Sequence, residues 1–363
     1  MTFKRTTPIT ALDLDSSDLP DAGPSSKGGV TLGRLNALIG LRPGDVYQLA
    51  SENPTVTASA ASAATSISGG VLRRPKVLTP GGTAVDLDGD PHFRYLAAGP
   101  QGSMAYGTTF PDYNHIRPTY LTGGAGQAAR WTTHIRFFWV GSAFEVFFKA
   151  LSTSLAYRLK VNGRRVTENL QTVTGLTSGS QHMLKFDFGS TAPRLIEITF
   201  NDTPFGGVYI EPTAQLSRGP KPKGKFLVIG DSISAGAGGV NRHDTWPSRC
   251  GELLGCEETL NVAIGGTGFL TTAGSQFRDR MDPDVIAMAP DIMVMFGGFN
   301  DGSVNAAGVA AESLYVMSHI QASLPKTLIF MAGSFLCNNS PGANLITVNR
   351  LCELERGVTR SCC

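Results

Sequence analysis

Three short segments carry the residue types that acyl transfer requires. They are Gly230-Asp231-Ser232-Ile233-Ser234, Asn261-Val262-Ala263-Ile264-Gly265-Gly266-Thr267-Gly268 and Phe296-Gly297-Gly298-Phe299-Asn300-Asp301. Each closes an apolar run that reads as a buried strand, and sites in open parallel sheets lie just beyond the carboxyl ends of strands. A serine at a strand tip, with a helix after it, projects its hydroxyl into the crevice. Its own N–H joins the helix N-terminus as an anion donor. Gly266 offers a second backbone N–H with no side chain in the way, and Asn300 offers a side-chain amide. A serine nucleophile with three converging donors suits attack on an ester carbonyl. Taken singly, each feature has a plainer use: a strand-end glycine makes a turn, and Asp231 caps the next helix. Gly265–Gly268 lacks the Lys-Ser/Thr of a phosphate loop and does not fit Gly-x-Gly-x-x-Gly. The conjunction and order of the three segments carry the reading.

In those segments the sequence resembles the SGNH hydrolases, also called the GDSL family. The family's Gly-Asp-Ser block is Gly230-Asp231-Ser232, its Asn with a Gly five positions on is Asn261 and Gly266, and its Gly-x-Asn-Asp block is Gly298-Phe299-Asn300-Asp301. The resemblance runs from about Lys225 to about Asn349. It implies a flavodoxin-like three-layer α/β domain, Ser232 as nucleophile, and an oxyanion hole of the Ser232 N–H, the Gly266 N–H and the Asn300 amide. No cofactor is implied.

The sequence departs from that family at the base. The family's Asp-x-x-His block does not occur after Asn300, and only His243 and His319 follow Ser232. His243 falls in the loop Asn241-Arg242-His243-Asp244, and His319 falls inside a helix, on its exposed side. The ending Arg356-Gly-Val-Thr-Arg-Ser-Cys-Cys363 has no periodicity and reads as truncated or frame-shifted. A chain without its base is expected to be a poor esterase. Of the other histidines, His92 and His115 read as loop residues, while His134 and His182 open strands. None has the spacing of a metal ligand set.

The elements that must position these residues alternate. Phe226–Ile229, Thr259–Val262, Ile292–Phe296 and Thr327–Met331 are apolar runs. Trp246–Leu254 and Ser303–Leu324 read as helices, the second with Leu314, Met317, Ile320 and Leu324 as its apolar stripe and Pro325 as its stop. Solid strands alternating with helices imply a parallel sheet covered on both faces. Upstream the texture differs. His134–Val140, Phe144–Phe148, Tyr157–Val161, Met183–Phe188, Leu195–Phe200 and Val208–Ile210 are short strand patterns, and Asn162-Gly163 is a hairpin turn. Together they predict an antiparallel, jelly-roll-like β-sandwich. The predicted organisation is a weakly structured lead over 1–70, a β-sandwich domain over 71–216, a basic Pro/Lys linker over 217–225 and the hydrolase domain over 226–363. A β-sandwich ahead of such a domain resembles the layout of two-domain carbohydrate esterases that deacetylate polysaccharides.

Composition narrows the partners. The chain has 363 residues with 31 Lys and Arg against 29 Asp and Glu, a net charge of +2, so charge makes no case for nucleic acid or an anionic membrane. No apolar run is long enough to span a bilayer, and the N-terminus shows no signal-peptide core, so cytoplasmic synthesis is expected. All six cysteines lie at or beyond residue 250, without a disulfide or zinc pattern. The expected substrate is a small acyl ester or an acetylated polysaccharide. The competing reading is an inert glycan-binding or phage-tail-like structural protein, assembling through its N-terminal segment.

Overall fold

The computed structural model describes residues 49–61, 64–76, 86, 89–96, 104–110, 113–118, 132–201, 203–236, 244–271, 276–302 and 304–332, with backbone alone at 104–110, 113–118, 132–133 and 201. The first part is an antiparallel sheet of twelve strands. These are β1 (Thr55–Ala58), β2 (Val71–Arg73), β3 (Arg94–Leu96), β4 (Met104–Phe110), β5 (Tyr113–Pro118), β6 (Thr132–Lys149), β7 (Ser154–Val161), β8 (Arg164–Arg165), β9 (Gln171–Thr174), β10 (Gln181–Asn201), β11 (Phe205–Ile210) and β12 (Gln215–Arg218). Their order is β4-β5-β11-β6-β10-β7-β8, with β1 on β10, β2 on β11, β3 and β12 on β6, and β9 on β7. The long strands β6 and β10 pair from Thr132 and Asn201 to Lys149 and Gln181, with a register shift between Asp187 and Ala192. Phe137, Trp139, Phe144 and Phe148 of β6 and Leu184, Phe186, Ile196 and Ile198 of β10 share one buried cluster. Residues from both sides of the register shift join it, and the Phe137 and Phe144 rings meet edge to face at 5.5 Å. Residues from both halves of the long strands therefore share one core. The β7–β8 turn is Asn162-Gly163, with both residues at positive φ (53° and 80°), as a two-residue hairpin turn demands.

The sheet begins earlier than composition suggests. Thr55–Ala58, expected in a weakly structured lead, pairs with Leu184–Asp187. The Ala50 N–H donates to the Arg165 carbonyl at 2.8 Å. Thr65 and Ser66 bond the Glu145 carboxylate, and Ile67 is buried. This Ala/Ser/Thr-rich stretch has few large side chains, and it is hydrogen bonds more than apolar area that seat it. The rest of the expected lead, residues 1–48, lies outside the described residues. His115, read as a loop residue, falls in β5.

The second part is a four-stranded parallel sheet of β13 (Lys225–Gly230), β14 (Glu258–Asn261), β15 (Ile292–Phe296) and β16 (Leu328–Ala332), in the order β14-β13-β15-β16. Its helices are α1 (Ser232–Ala235), α2 (Trp246–Leu253), α3 (Phe277–Arg280) and α4 (Ala306–Ser323). Successive strand residues serve opposite faces. Leu227, Ile229, Met293 and Met295 pack with Phe277, Val309, Val316 and Ile320. Phe226, Val228, Ile292 and Leu328 pack with Trp246, Cys250 and Leu254. This is why the strands read as unbroken apolar runs. The buried face of α4 differs from the predicted stripe: Val309, Ala310, Ser313, Val316 and Ile320 are inside, and Leu314 is 48% exposed. A stripe drawn through the large residues misses the small Ala310 and Ser313 on the buried face. Among the described residues no helix is long and apolar enough to cross a membrane.

The two parts meet through charge. Alternating strands normally send their polar side chains to water, but Arg136 of β6, Arg158 and Lys160 of β7 and Arg165 of β8 meet the second part instead. Buried Arg158 bonds Asp244 at 2.9 Å, and Lys160 bonds Glu252 at 2.9 Å. Arg165 Nε donates to the same Glu252 at 2.8 Å. Arg136, wholly buried, lies between Glu197 (3.2 Å) and Glu257 (2.9 Å) and reaches the Pro220 carbonyl at 3.3 Å. Burial pushes the Glu197 carboxyl up, but the His134 hydrogen bond and the Lys160 and Arg136 charges prevail and hold it at about 2. Burial pushes the His134 imidazole down. Within the basic segment between the two parts, Gln215–Arg218 is strand, and the Lys223 carbonyl accepts the Glu257 N–H at 2.9 Å.

Candidate active site

β13 lies between β14 and β15, so the segments after these three strands emerge side by side. Ser232 is the first residue of α1, a single helical turn. Asp231 caps that turn, its Oδ1 accepting the Ile233 N–H at 2.9 Å, so the plainer use of Asp231 is realised. The Asp231 side chain is fully buried, and burial pushes its carboxyl pKa up, with the Asp301 charge adding to the rise. Among the described residues nothing bonds the Ser232 hydroxyl, and Ser232 is half-buried.

After β14 the chain makes a turn from Ile264 to Thr267, in which the Thr267 N–H faces the Ile264 carbonyl at 3.4 Å. Gly266 stands at φ +77°, the left-handed conformation that the third position of a type II turn requires. The turn lies against the serine: a Cβ built on Gly265 would stand 3.6 Å from the Ser232 Cβ. Asn261, the first residue of the second block, works underneath. Its Nδ2 donates to the Ser234 carbonyl at 2.8 Å and its Oδ1 accepts the Ala263 N–H at 3.2 Å. These bonds tie the end of β14 to α1.

Asn300 sits in the turn after β15, and its Nδ2 donates to the Thr267 carbonyl at 2.9 Å. One amide proton is thereby committed and the other remains for a ligand. Asp301, fully buried, accepts the N–H groups of Phe269 (2.8 Å), Leu270 (2.9 Å) and Thr271 (3.0 Å) and the Thr271 hydroxyl (2.9 Å). It fastens the loop that follows Gly266 to the segment that carries Asn300. Arg280, paired with buried Asp284 at 2.9 Å, bonds the Val262 carbonyl and reaches the Thr267 hydroxyl at 3.5 Å.

The structure brings Ser232 against Gly265 and ties Asn300 to the Gly266 turn. His319 does not join them. It bonds Asp282 at 2.9 Å and stacks on Tyr315. It lies thirteen positions along α4 from Ala306, which at 1.5 Å per residue is about 20 Å from the helix end nearest Asn300. His243 and the chain end from 333 lie outside the described residues. Buried His182 bonds the Ser59 carbonyl at 3.1 Å, and His134 belongs to the charged seam. Burial pushes the Cys250 and Cys256 thiols up, Cys256 to about 12, so neither is a ready nucleophile. Among the described residues no group of three or more His, Cys, Asp or Glu could hold a metal ion. Thr267, Asp301 and Arg280 were given no role by the sequence. Thr267 and Asp301 stand inside the quoted segments, and a threonine closing a Gly-Gly turn at a strand end is the signal for the first.

Residues 228–358 match the family described as GDSL-like lipase/acylhydrolase. No curated protein matches the chain. Among solved structures, the salicylyl-acyltransferase SsfX3 from a tetracycline biosynthetic pathway is similar at a TM-score of 0.54 and 17% identity, over 74% of this chain and 80% of that one. At that identity the likeness is one of fold. A family two carbohydrate esterase from Clostridium thermocellum, in complex with cellohexaose, matches at 18% identity over 73% of this chain and 86% of that one, with a TM-score of 0.43. The acetyl xylan esterase Est2A from the rumen bacterium Butyrivibrio proteoclasticus matches at 12% identity over 73% and 87%, with a TM-score of 0.45. The residues that end the parallel strands lie within or beside the match over 228–358, and this part of the chain is similar to the GDSL-like lipase/acylhydrolase family.

Proposed function

We propose that the chain is a serine ester hydrolase. Its hydrolase part is a flavodoxin-like three-layer domain, and the antiparallel part is a jelly-roll-like sandwich. One observation carries the reading: Ser232, the Gly266 turn and Asn300 come together at the ends of three adjacent parallel strands, with the turn against Ser232 and the Asn300 amide bonded to it. Ser232 Oγ attacks the ester carbonyl carbon and gives up its proton to a base. The carbonyl oxygen takes the negative charge and receives hydrogen bonds from the Ser232 N–H, the Gly266 N–H and the free Asn300 N–H. Collapse expels the alcohol, which takes up the proton, and water then releases the acid from the acyl-serine. A β domain ahead of the hydrolase part supports an acetylated carbohydrate as the alcohol side.

A second reading, an inert domain in a glycan-binding or structural protein, is favoured by the remoteness of His319 from Ser232. Labelling with a fluorophosphonate in imidazole-containing buffer separates the two. A hydrolase site forms an adduct at Ser232, and an inert one does not.

A further inference from the structure

The three segments around Ser232 share one buried side chain. Thr267 has no exposed surface. Its hydroxyl donates to the Ile264 carbonyl at 2.8 Å, closing the turn that holds Gly266 at positive φ. The same oxygen stands 3.4 Å from the Gly230 carbonyl, at the end of the strand that delivers Ser232. Arg280 Nη1 approaches it at 3.5 Å. The backbone carbonyl of Thr267 accepts the Asn300 amide at 2.9 Å. One residue is thus bonded to the turn carrying one donor and to the side chain carrying another. Its hydroxyl also lies within reach of the strand end carrying the nucleophile.

We propose that Thr267 is a positioning residue that sets the aim of the Gly266 N–H and the Asn300 amide at the ester oxygen. The proposal rests on the reading of Ser232 as nucleophile. Without the hydroxyl, the Ile264 carbonyl keeps only the 3.4 Å approach of the Thr267 N–H, and the turn can rotate. An oxyanion donor works through preorganisation, so a small loss of aim lowers the rate of bond formation and leaves ground-state binding alone. Valine keeps the β-branched shape and removes only the hydroxyl, and serine keeps the hydroxyl.

The test measures the rate of phosphonylation by a fluorophosphonate in imidazole buffer, on folded full-length protein checked by near-ultraviolet circular dichroism. Thr267→Val should slow the limiting rate about 10- to 100-fold with an unchanged half-saturating probe concentration, and Thr267→Ser should stay within about threefold of the parent. Should the valine variant not fold, Thr267→Cys, with its weak thiol donor, should show a loss of about tenfold. A folded valine or cysteine variant that reacts within about twofold of the parent overturns the proposal while leaving Ser232 as nucleophile. So does a serine variant as slow as the valine one. A parent chain that reacts no faster than its Ser232→Ala variant removes the functional reading and this proposal with it.

Discussion

Asp301 accepts four hydrogen bonds beside the candidate site, and its removal can be worked through bond by bond. Its Oδ2 accepts the Phe269 N–H, and its Oδ1 accepts the Leu270 N–H, the Thr271 N–H and the Thr271 hydroxyl. Asp301→Asn can keep the Oδ1 set, but it turns an NH2 group toward the Phe269 N–H. One bond to a charged acceptor is lost and two donors face each other, at a cost of about 2 kcal/mol. Asp301→Ala leaves three N–H groups without an acceptor. At roughly 1–3 kcal/mol per buried donor, with water reaching the part-buried ones, the cost is roughly 3–6 kcal/mol. That is a large share of the 5–15 kcal/mol typical of a domain. Urea unfolding followed by circular dichroism gives both differences. The loop also follows the Gly266 turn, so Asp301→Asn should slow phosphonylation of Ser232 even where it is fully folded. An alanine variant within about 1 kcal/mol of the parent would show that the carboxylate does not hold the loop, and the reasoning would fail.

Asn300→Ala should lower the phosphonylation rate by about 10²–10³ with little change in probe binding, because in the proposed function the amide acts on the developing charge. An equal loss in binding alone would make Asn300 a substrate contact. The charged seam should weaken in acid. His134 is held neutral below its ordinary 6.5 and Glu197 is held ionised down to about 2, so both bind fewer protons folded than unfolded. Stability should therefore fall as pH drops below about 6.5, and fall again between about 4.5 and about 2. His134→Gln should flatten the upper limb, as read from urea midpoints across pH, and stability that rises on acidification would contradict the seam. With His319 about 20 Å along α4 from the helix end nearest Asn300, hydrolysis of p-nitrophenyl acetate should exceed that of Ser232→Ala by less than about 10³-fold. A larger ratio would show that the chain supplies its own base, which His243→Ala would then test.

The parallel sheet was legible because its strands are buried on both faces and so are apolar at every position, as in Phe226–Ile229 and Ile292–Phe296. The segments after them were legible for the same reason: small and polar residues break a solid run abruptly. The destination of the polar side chains in the alternating strands could not be read. Arg158 and Lys160 alternate with apolar neighbours as solvent-facing residues would, yet they meet Asp244 and Glu252 across the seam. Period two fixes which face a residue takes and says nothing of what covers that face. β1 was missed because Thr55–Ala58 is held by backbone pairing, which leaves no apolar signature. Thr267 and Asp301 were missed as determinants because their work is hydrogen bonding to main-chain groups brought close only by the fold.

The central claim is that Ser232 is a nucleophile facing an assembled set of oxyanion donors. Peptide mapping by mass spectrometry, after incubation with a fluorophosphonate and imidazole, tests it directly. The account predicts a single adduct on the peptide containing Gly230-Asp231-Ser232, formed faster with imidazole than without and absent from Ser232→Ala. No adduct on Ser232, or an adduct that persists in Ser232→Ala, would contradict it.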